Sequence, residues 1–171
     1  VEAVNVGNGL DAGVNMGPLV ADRRLDIMEG FVSNAVSEGA ELLVGGERVQ
    51  SSGSFYQPTL LANVPDSAQI MTEEPFGPIA PTATFASLDE VIDRANSLPF
   101  GLAAYAFTGS PKTAGALKTE IESGMLAINS LHIHSVETPF GGLKNSGYGY
   151  EGGIEGLEAF LATKYSSEVY T

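Results

Sequence analysis

The sequence predicts an α/β fold, a mostly parallel sheet with flanking helices. Three observations carry that reading. Short apolar runs (Leu42-Leu43-Val44, Leu102 to Thr108, Met125 to Asn129) alternate with longer segments whose apolar residues recur every three or four positions. Start and stop signals stand at the edges of those longer segments. Strands alternating with helices of this length also require right-handed crossovers, which bring neighbouring strands parallel.

Residues 1–20 are irregular and rich in Gly and Asn. A helix is predicted from Ala21 to Glu38, because Leu25, Met28, Val32, Ala35 and Val36 share one helical face and Gly39 supplies the stop. Leu42-Leu43-Val44, closed by Gly45-Gly46, reads as a buried strand. Ser51 to Ser54 reads as a turn, and Tyr56 to Val64 as a strand with Pro58 confined to its start. Ile79 to Phe85 reads as another strand. Ser87 and Glu90 form a capping box ahead of Leu88, Val91, Ile92 and Ala95, and that helix stops before Pro99. Leu102 to Thr108 is a strand. Ser110-Pro111 then opens a helix with Ala114, Leu117 and Ile121 facing inward and Gly124 at its end. Met125 to Asn129 is the next strand. A Gly-rich stretch, a short helix near Ile154 to Leu161 and a terminal strand from Tyr165 to Tyr170 complete the chain.

Composition removes several function classes. The 171 residues are 43% hydrophobic and 17% charged, enough for a packed core and too few charges for a disordered tail. Eight Lys plus Arg face 21 Asp plus Glu, for a net charge of −13. That balance argues against a nucleic-acid partner and against an anionic membrane surface, and it serves solubility. No apolar run approaches the ~20 residues of a membrane helix. The absence of cysteine excludes disulfides, thiolate catalysis by this chain and Cys-based metal sites. Val1-Glu2-Ala3-Val4 is neither a signal peptide nor a start methionine, so the expectation is a piece of a longer, cytoplasmic protein.

Three motifs bear on chemistry. Gly147-Tyr148-Gly149-Tyr150-Glu151-Gly152 matches G-x-G-x-x-G, yet no clear strand precedes it and no acidic ribose anchor follows, so its glycines read as turn residues. In Glu73-Glu74-Pro75-Phe76-Gly77-Pro78, two prolines and a glycine fix the backbone around a carboxylate and an aromatic ring. A carboxylate accepts from ribose hydroxyls and a Phe lies against a nicotinamide ring; the plainer reading is a rigid loop with a solvated acid. His132 and His134 share one loop with Ser135 and Glu137, and without an obvious third ligand this is a substrate-lining or plain surface loop, not a metal site.

Four stretches together resemble the C-terminal third of the aldehyde dehydrogenase superfamily. They are Val6 to Asp11 with Met16-Gly17-Pro18-Leu19, Glu73 to Pro78, Pro99 to Ala104, and Pro139 to Gly147. The resemblance implies the C-terminal portion of a three-layer αβα catalytic domain over residues 1–163, with 164–171 as an oligomerisation strand. It implies oxidation of a small-molecule aldehyde to the acid with NAD or NADP bound mainly by an N-terminal domain outside this chain. In that family a cysteine thiolate attacks the carbonyl, hydride leaves to the nicotinamide, and a glutamate base assists hydrolysis of the thioester. Nucleophile and base both precede the matched region, so the 171-residue chain alone is expected to be inactive. By the same resemblance Glu74 holds the nicotinamide ribose and Phe76 lies beside the ring. His132 and His134 line the substrate entrance, and Glu151 is a buried acid that relays protons. A homo-oligomer, dimer or tetramer, is implied.

Two departures stand out. Tyr150 and Ala162 replace an Arg and a Glu that form an interface ion-pair network in some members, and losing both avoids an uncompensated charge. The chain is most similar to the succinate-semialdehyde dehydrogenase subgroup around Val6 to Leu10 and Phe100 to Tyr105, which implies succinate semialdehyde or a related semialdehyde. His134, however, stands where that subgroup places a serine that helps bind the substrate carboxylate; a protonated imidazole serves the same chemistry. The alternative is a non-catalytic oligomerisation or interaction module.

Overall fold

The computed structural model describes residues 1, 3–49 and 53–170. Ser51 and Ser52 of the expected turn lie outside the described residues, as does Thr171 of the expected terminal strand. The chain divides into two compact units, Val1–Thr84 and Phe85–Thr171.

In the first unit, helix α1 spans Arg23–Ser37 and buries Leu25, Met28, Phe31, Val32 and Ala35. These are the residues of the predicted face, with Phe31 added and Val36 exposed. The helix ends in a Schellman motif: the Ala40 amide donates to the Ala35 carbonyl at 2.9 Å and the Gly39 amide to Val36 at 3.1 Å. Strands β1 (Glu41–Val44), β2 (Thr59–Ala62) and β3 (Ile79–Pro81) form a sheet in that order. β1 pairs antiparallel to β2 with a bulge between Leu42 and Val44, and β2 pairs parallel to β3. α1 closes the core with Tyr56, Leu61, Val64, Ile70 and Ile79.

The expectation of a buried strand at Leu42–Val44 is corrected. Leu42 is 42% and Leu43 49% exposed, because β1 is an edge strand and the buried positions fall on central β2, at Thr59 and Leu61. Buried Thr59 is satisfied: its hydroxyl donates to the Gln57 carbonyl and accepts from the Gly46 amide, both at 2.8 Å.

In the second unit, α2 (Leu88–Asn96) starts at Ser87, whose hydroxyl accepts from the Glu90 amide at 3.1 Å. The Glu90 carboxylate reaches back to the Ala86 amide at 2.8 Å, one residue earlier than the capping box predicts. The strand expected from Leu102 to Thr108 is β5 (Ala103–Ala106), preceded by a separate two-residue strand, β4 (Phe100–Gly101). Helix α3 (Pro111–Glu120) starts on Ser110, which accepts from the Thr113 amide at 3.2 Å. It leads to β6 (Met125–Ile128), which pairs parallel to β5, as a strand–helix–strand crossover requires. β7 (Leu143–Lys144) pairs antiparallel to β4. Parallel pairs therefore occur in both units, each beside antiparallel ones, and the class is α/β. Helix α4 is only Glu155–Glu158. Residues 161–170 form no regular structure in the single chain, where a strand is expected from Tyr165 to Tyr170: among the described residues no strand pairs with this backbone.

Candidate functional site

The loop from Glu73 to Pro78 leaves a 3-10 turn at Gln69–Met71 and enters β3. It is anchored along its length. The Glu73 amide donates to the Gln69 carbonyl at 2.9 Å, and the Glu73 carboxylate accepts from the Gln69 amide group at 3.0 Å. The Gln69 backbone amide in turn donates to Asn34 Oδ1 on α1 at 2.8 Å. The guanidinium of Arg24, in the first turn of α1, donates to the Pro75 carbonyl. Gly77 lies so close to α1 that a Cβ there would stand 2.2 Å from Met28 Sδ. The Pro78 carbonyl accepts from the Thr59 amide at 2.8 Å.

Between these anchors Glu74 is exposed, and Phe76 is 72% exposed with φ at +44°. That backbone region is sparsely populated by residues other than glycine and is held only where surrounding contacts over-determine it. The anchors at Pro75 and Gly77 do so here. A large apolar side chain held in water on strained backbone, beside an exposed carboxylate, is an arrangement that core packing does not call for.

A second feature lies in the other unit. β6 and the loop that follows it form an open cleft of about 430 Å³, within the range of small-molecule sites. Met125, Leu126 and Ile133 give it apolar surface; His132, His134, Ser135 and Thr138 give it polar surface. The loop is tied by local bonds. The Ser135 amide donates to Thr138 Oγ1 at 3.1 Å, the Thr138 amide to the Ser135 carbonyl at 3.2 Å, and the His132 amide to Ser130 Oγ at 2.9 Å. His134 meets Phe140 edge to face, with ring centroids 5.3 Å apart at 88°. The Ser135 hydroxyl, with a smaller contribution from the Glu137 backbone, holds the Glu137 carboxyl below its usual range. Sequence reading missed Thr138 and the apolar lining. The Ser135-x-x-Thr138 spacing, typical of hydroxyl-stabilised turns, was the available signal.

Phe140 connects this loop to Glu151. Their backbones exchange two hydrogen bonds, at 2.7 and 2.8 Å. The expectation that Glu151 is buried is corrected: within this chain its side chain is exposed, because the pairing engages only its backbone. Gly147, Gly149 and Gly152 have φ of +119°, +80° and +65°, as turn residues. Glu74 and Phe76 belong to the first unit, and His132, His134 and Glu151 to the second.

A sequence model of the Aldehyde dehydrogenase family matches residues 1–166. The chain belongs to the aldehyde dehydrogenase family. Among curated relatives it is 45% identical over 164 residues to 4-(hydroxymethyl)benzenesulfonate dehydrogenase TsaD1 of Comamonas testosteroni, covering 96% of this chain and 34% of that protein. It is 40% identical to the mitochondrial succinate-semialdehyde dehydrogenase of Rattus norvegicus, covering 96% and 31%. Among solved structures it matches betaine aldehyde dehydrogenase of Staphylococcus aureus in complex with NAD+, with a TM-score of 0.88 and 34% identity over 95% of this chain and 33% of that one. The chain thus spans about a third of the length of these three proteins. The chain contains no cysteine.

Proposed function

We propose that this chain supplies the nicotinamide-ribose contact and one wall of the aldehyde pocket in an NAD(P)-dependent aldehyde dehydrogenase that oxidises an aldehyde to the carboxylic acid. The observation that carries the reading is Phe76, held outward at positive φ beside the exposed carboxylate of Glu74 by a loop anchored on both sides. These residues fit the cofactor. Glu74 accepts from vicinal ribose hydroxyls, and Phe76 offers a flat apolar face to a ring. Held there, the cofactor would supply a hydride acceptor for the oxidation. The chain's own part is to orient that ring, while residues outside it carry most of the cofactor affinity, the nucleophile and the base.

The cleft at His132 and His134 serves the substrate in this reading, with Glu151 as the proton-relay acid. Its apolar lining takes a carbon skeleton, and its imidazole and hydroxyl groups suit an anionic end. Two relatives are named for substrates that carry such a group, a benzenesulfonate and succinate semialdehyde. Succinate semialdehyde or a related semialdehyde is the substrate we favour. Residues 164–171 act as an oligomerisation strand in a homo-oligomer, dimer or tetramer, and 1–163 as the catalytic portion. The exposure of Leu161, Tyr165, Val169 and Tyr170 favours that role, and also the second reading of an assembly module.

Glu74→Ala in the full-length protein tests the proposal. Turnover is expected to fall more than overall cofactor affinity, by on the order of 10²-fold if the ring moves ~1 Å. Turnover equal to wild type, measured with saturating cofactor, contradicts the role.

A further inference from the structure

The same loop points to a residue that neither the sequence motifs nor its position would single out. Arg24 and Met28 stand four residues apart on α1, hence on one helical face. Arg24 donates to the carbonyl of Pro75 and Met28 packs against the Cα of Gly77. The two side chains thus engage the residues on either side of Phe76. With both flanks drawn toward α1, the intervening residue is turned outward, which accounts for its φ of +44° and its exposure.

Of the two, Met28 also belongs to the core, where it is fully buried. Arg24 is half-buried and, among the described residues, its Nε is buried without a hydrogen-bond partner. A buried donor left unmade destabilises, so this guanidinium is a poor contributor to stability where it stands. A methionine of similar length would fill the space without that cost. What the arginine adds is the bond to Pro75, and that bond orients the peptide joining Pro75 to Phe76.

We propose that Arg24 is a positioning residue for the Glu74–Phe76 loop: its guanidinium holds the Pro75 carbonyl so that the carboxylate and the ring face the nicotinamide half of the cofactor. This rests on the functional reading above for what the loop binds, and on the contacts alone for what holds the loop.

Arg24→Met and Arg24→Lys in the full-length protein test it, with Phe76→Ala beside them. Hydrogen exchange of the Glu73 and Ile79 amides, which flank the loop and donate to the carbonyls of Gln69 and Gly77, is the first readout and needs no cofactor. In Arg24→Met it is expected to speed up by at least about tenfold while α1 and β2 amides stay protected and the melting temperature is unchanged or higher. Arg24→Lys, which retains a donor, is expected to restore part of the protection. With cofactor and aldehyde present, kcat of Arg24→Met is expected to fall about tenfold or more with the aldehyde KM little changed. Wild-type exchange and kcat in Arg24→Met would overturn the proposal. So would a lowered melting temperature with exchange raised throughout α1 and β2, the mark of a merely structural role. If Phe76→Ala leaves turnover and cofactor binding unaltered, the cofactor reading of the loop fails, and the exchange result still decides whether Arg24 holds it.

Discussion

Tyr56 shows how a single side chain carries a cost that the rest of the core offsets. It is 1% exposed, and among the described residues its hydroxyl has no hydrogen-bond partner. Burial, with a smaller contribution from the Glu29 carboxylate, pushes the phenol up to about 12 from its ordinary 10.0. Between those two values the native state keeps a proton that the unfolded state has lost. Stability is therefore full below pH ~10 and declines as pH rises through ~12. Tyr56→Phe removes both the orphan hydroxyl and the titration. Its urea midpoint is expected to match or exceed wild type at pH 7, and the loss of stability between pH 10 and 12 is expected to shrink. A variant less stable than wild type at pH 7 would mean that the hydroxyl is satisfied in solution. The Glu29–Arg48 pair nearby works in the opposite direction: the Arg48 guanidinium lowers the Glu29 carboxyl, but both groups are exposed and contribute little.

At the scale of elements, the second unit is organised by backbone packing as much as by side chains. Few of its hydrophobic residues are buried: Ile92, Leu117, Met125 and Ala127. In exchange, main-chain segments approach closely. A Cβ on Gly124 would lie 1.9 Å from the Gly141 carbonyl, and one on Gly101 2.1 Å from the Glu122 carbonyl. Gly115, inside α3 and facing open space, has no such neighbour. Two alanine substitutions should therefore move stability in opposite directions. Gly115→Ala is expected to stabilise by about 0.5–1 kcal/mol, through helix propensity and the unfolded chain's entropy. Gly124→Ala is expected to destabilise by about 1–3 kcal/mol or more, since the Gly141 backbone must shift. Thermal unfolding of both variants checks the pair; equal shifts would contradict the packing argument.

At the scale of the whole molecule, the chain exposes apolar surface that an isolated globular unit would hide. Phe107, Leu131, Ile154, Phe160, Leu161, Tyr165, Val169 and Tyr170 are each more than two-thirds exposed. Large exposed apolar area marks interaction surface, and a terminal segment with aromatic and β-branched residues suits a strand added to another sheet. Deleting residues 164–171 is expected to shift the full-length protein toward smaller assemblies in sedimentation velocity, or toward aggregation. An unchanged assembly with the same stability would rule out the strand exchange. The net charge of −13 opposes non-specific association, so any assembly has to rest on specific apolar contacts.

What the sequence determined by itself is local. The residues of α1's buried face, the caps at Ser87 and Ser110, the stop at Gly39 and the strand–helix–strand succession from Ala103 to Ile128 all follow from signals within a few residues, and the structure has them. The motifs that carry the family resemblance are local too. Burial and strand pairing depend instead on distant partners. Whether Leu42 and Leu43 are covered depends on β1 being an edge strand, and whether Tyr165 to Tyr170 forms a strand depends on a pairing partner, which among the described residues no strand supplies. Glu151 is exposed because a backbone pair with Phe140, eleven residues away, engages its main chain and not its carboxylate. Phe76 is the clearest case. Pro75 and Gly77 announce a fixed backbone, but its positive φ and outward ring come from Arg24 and Met28, about fifty residues earlier. Strain of that kind persists only where the tertiary structure imposes it, so no local signal could have announced it.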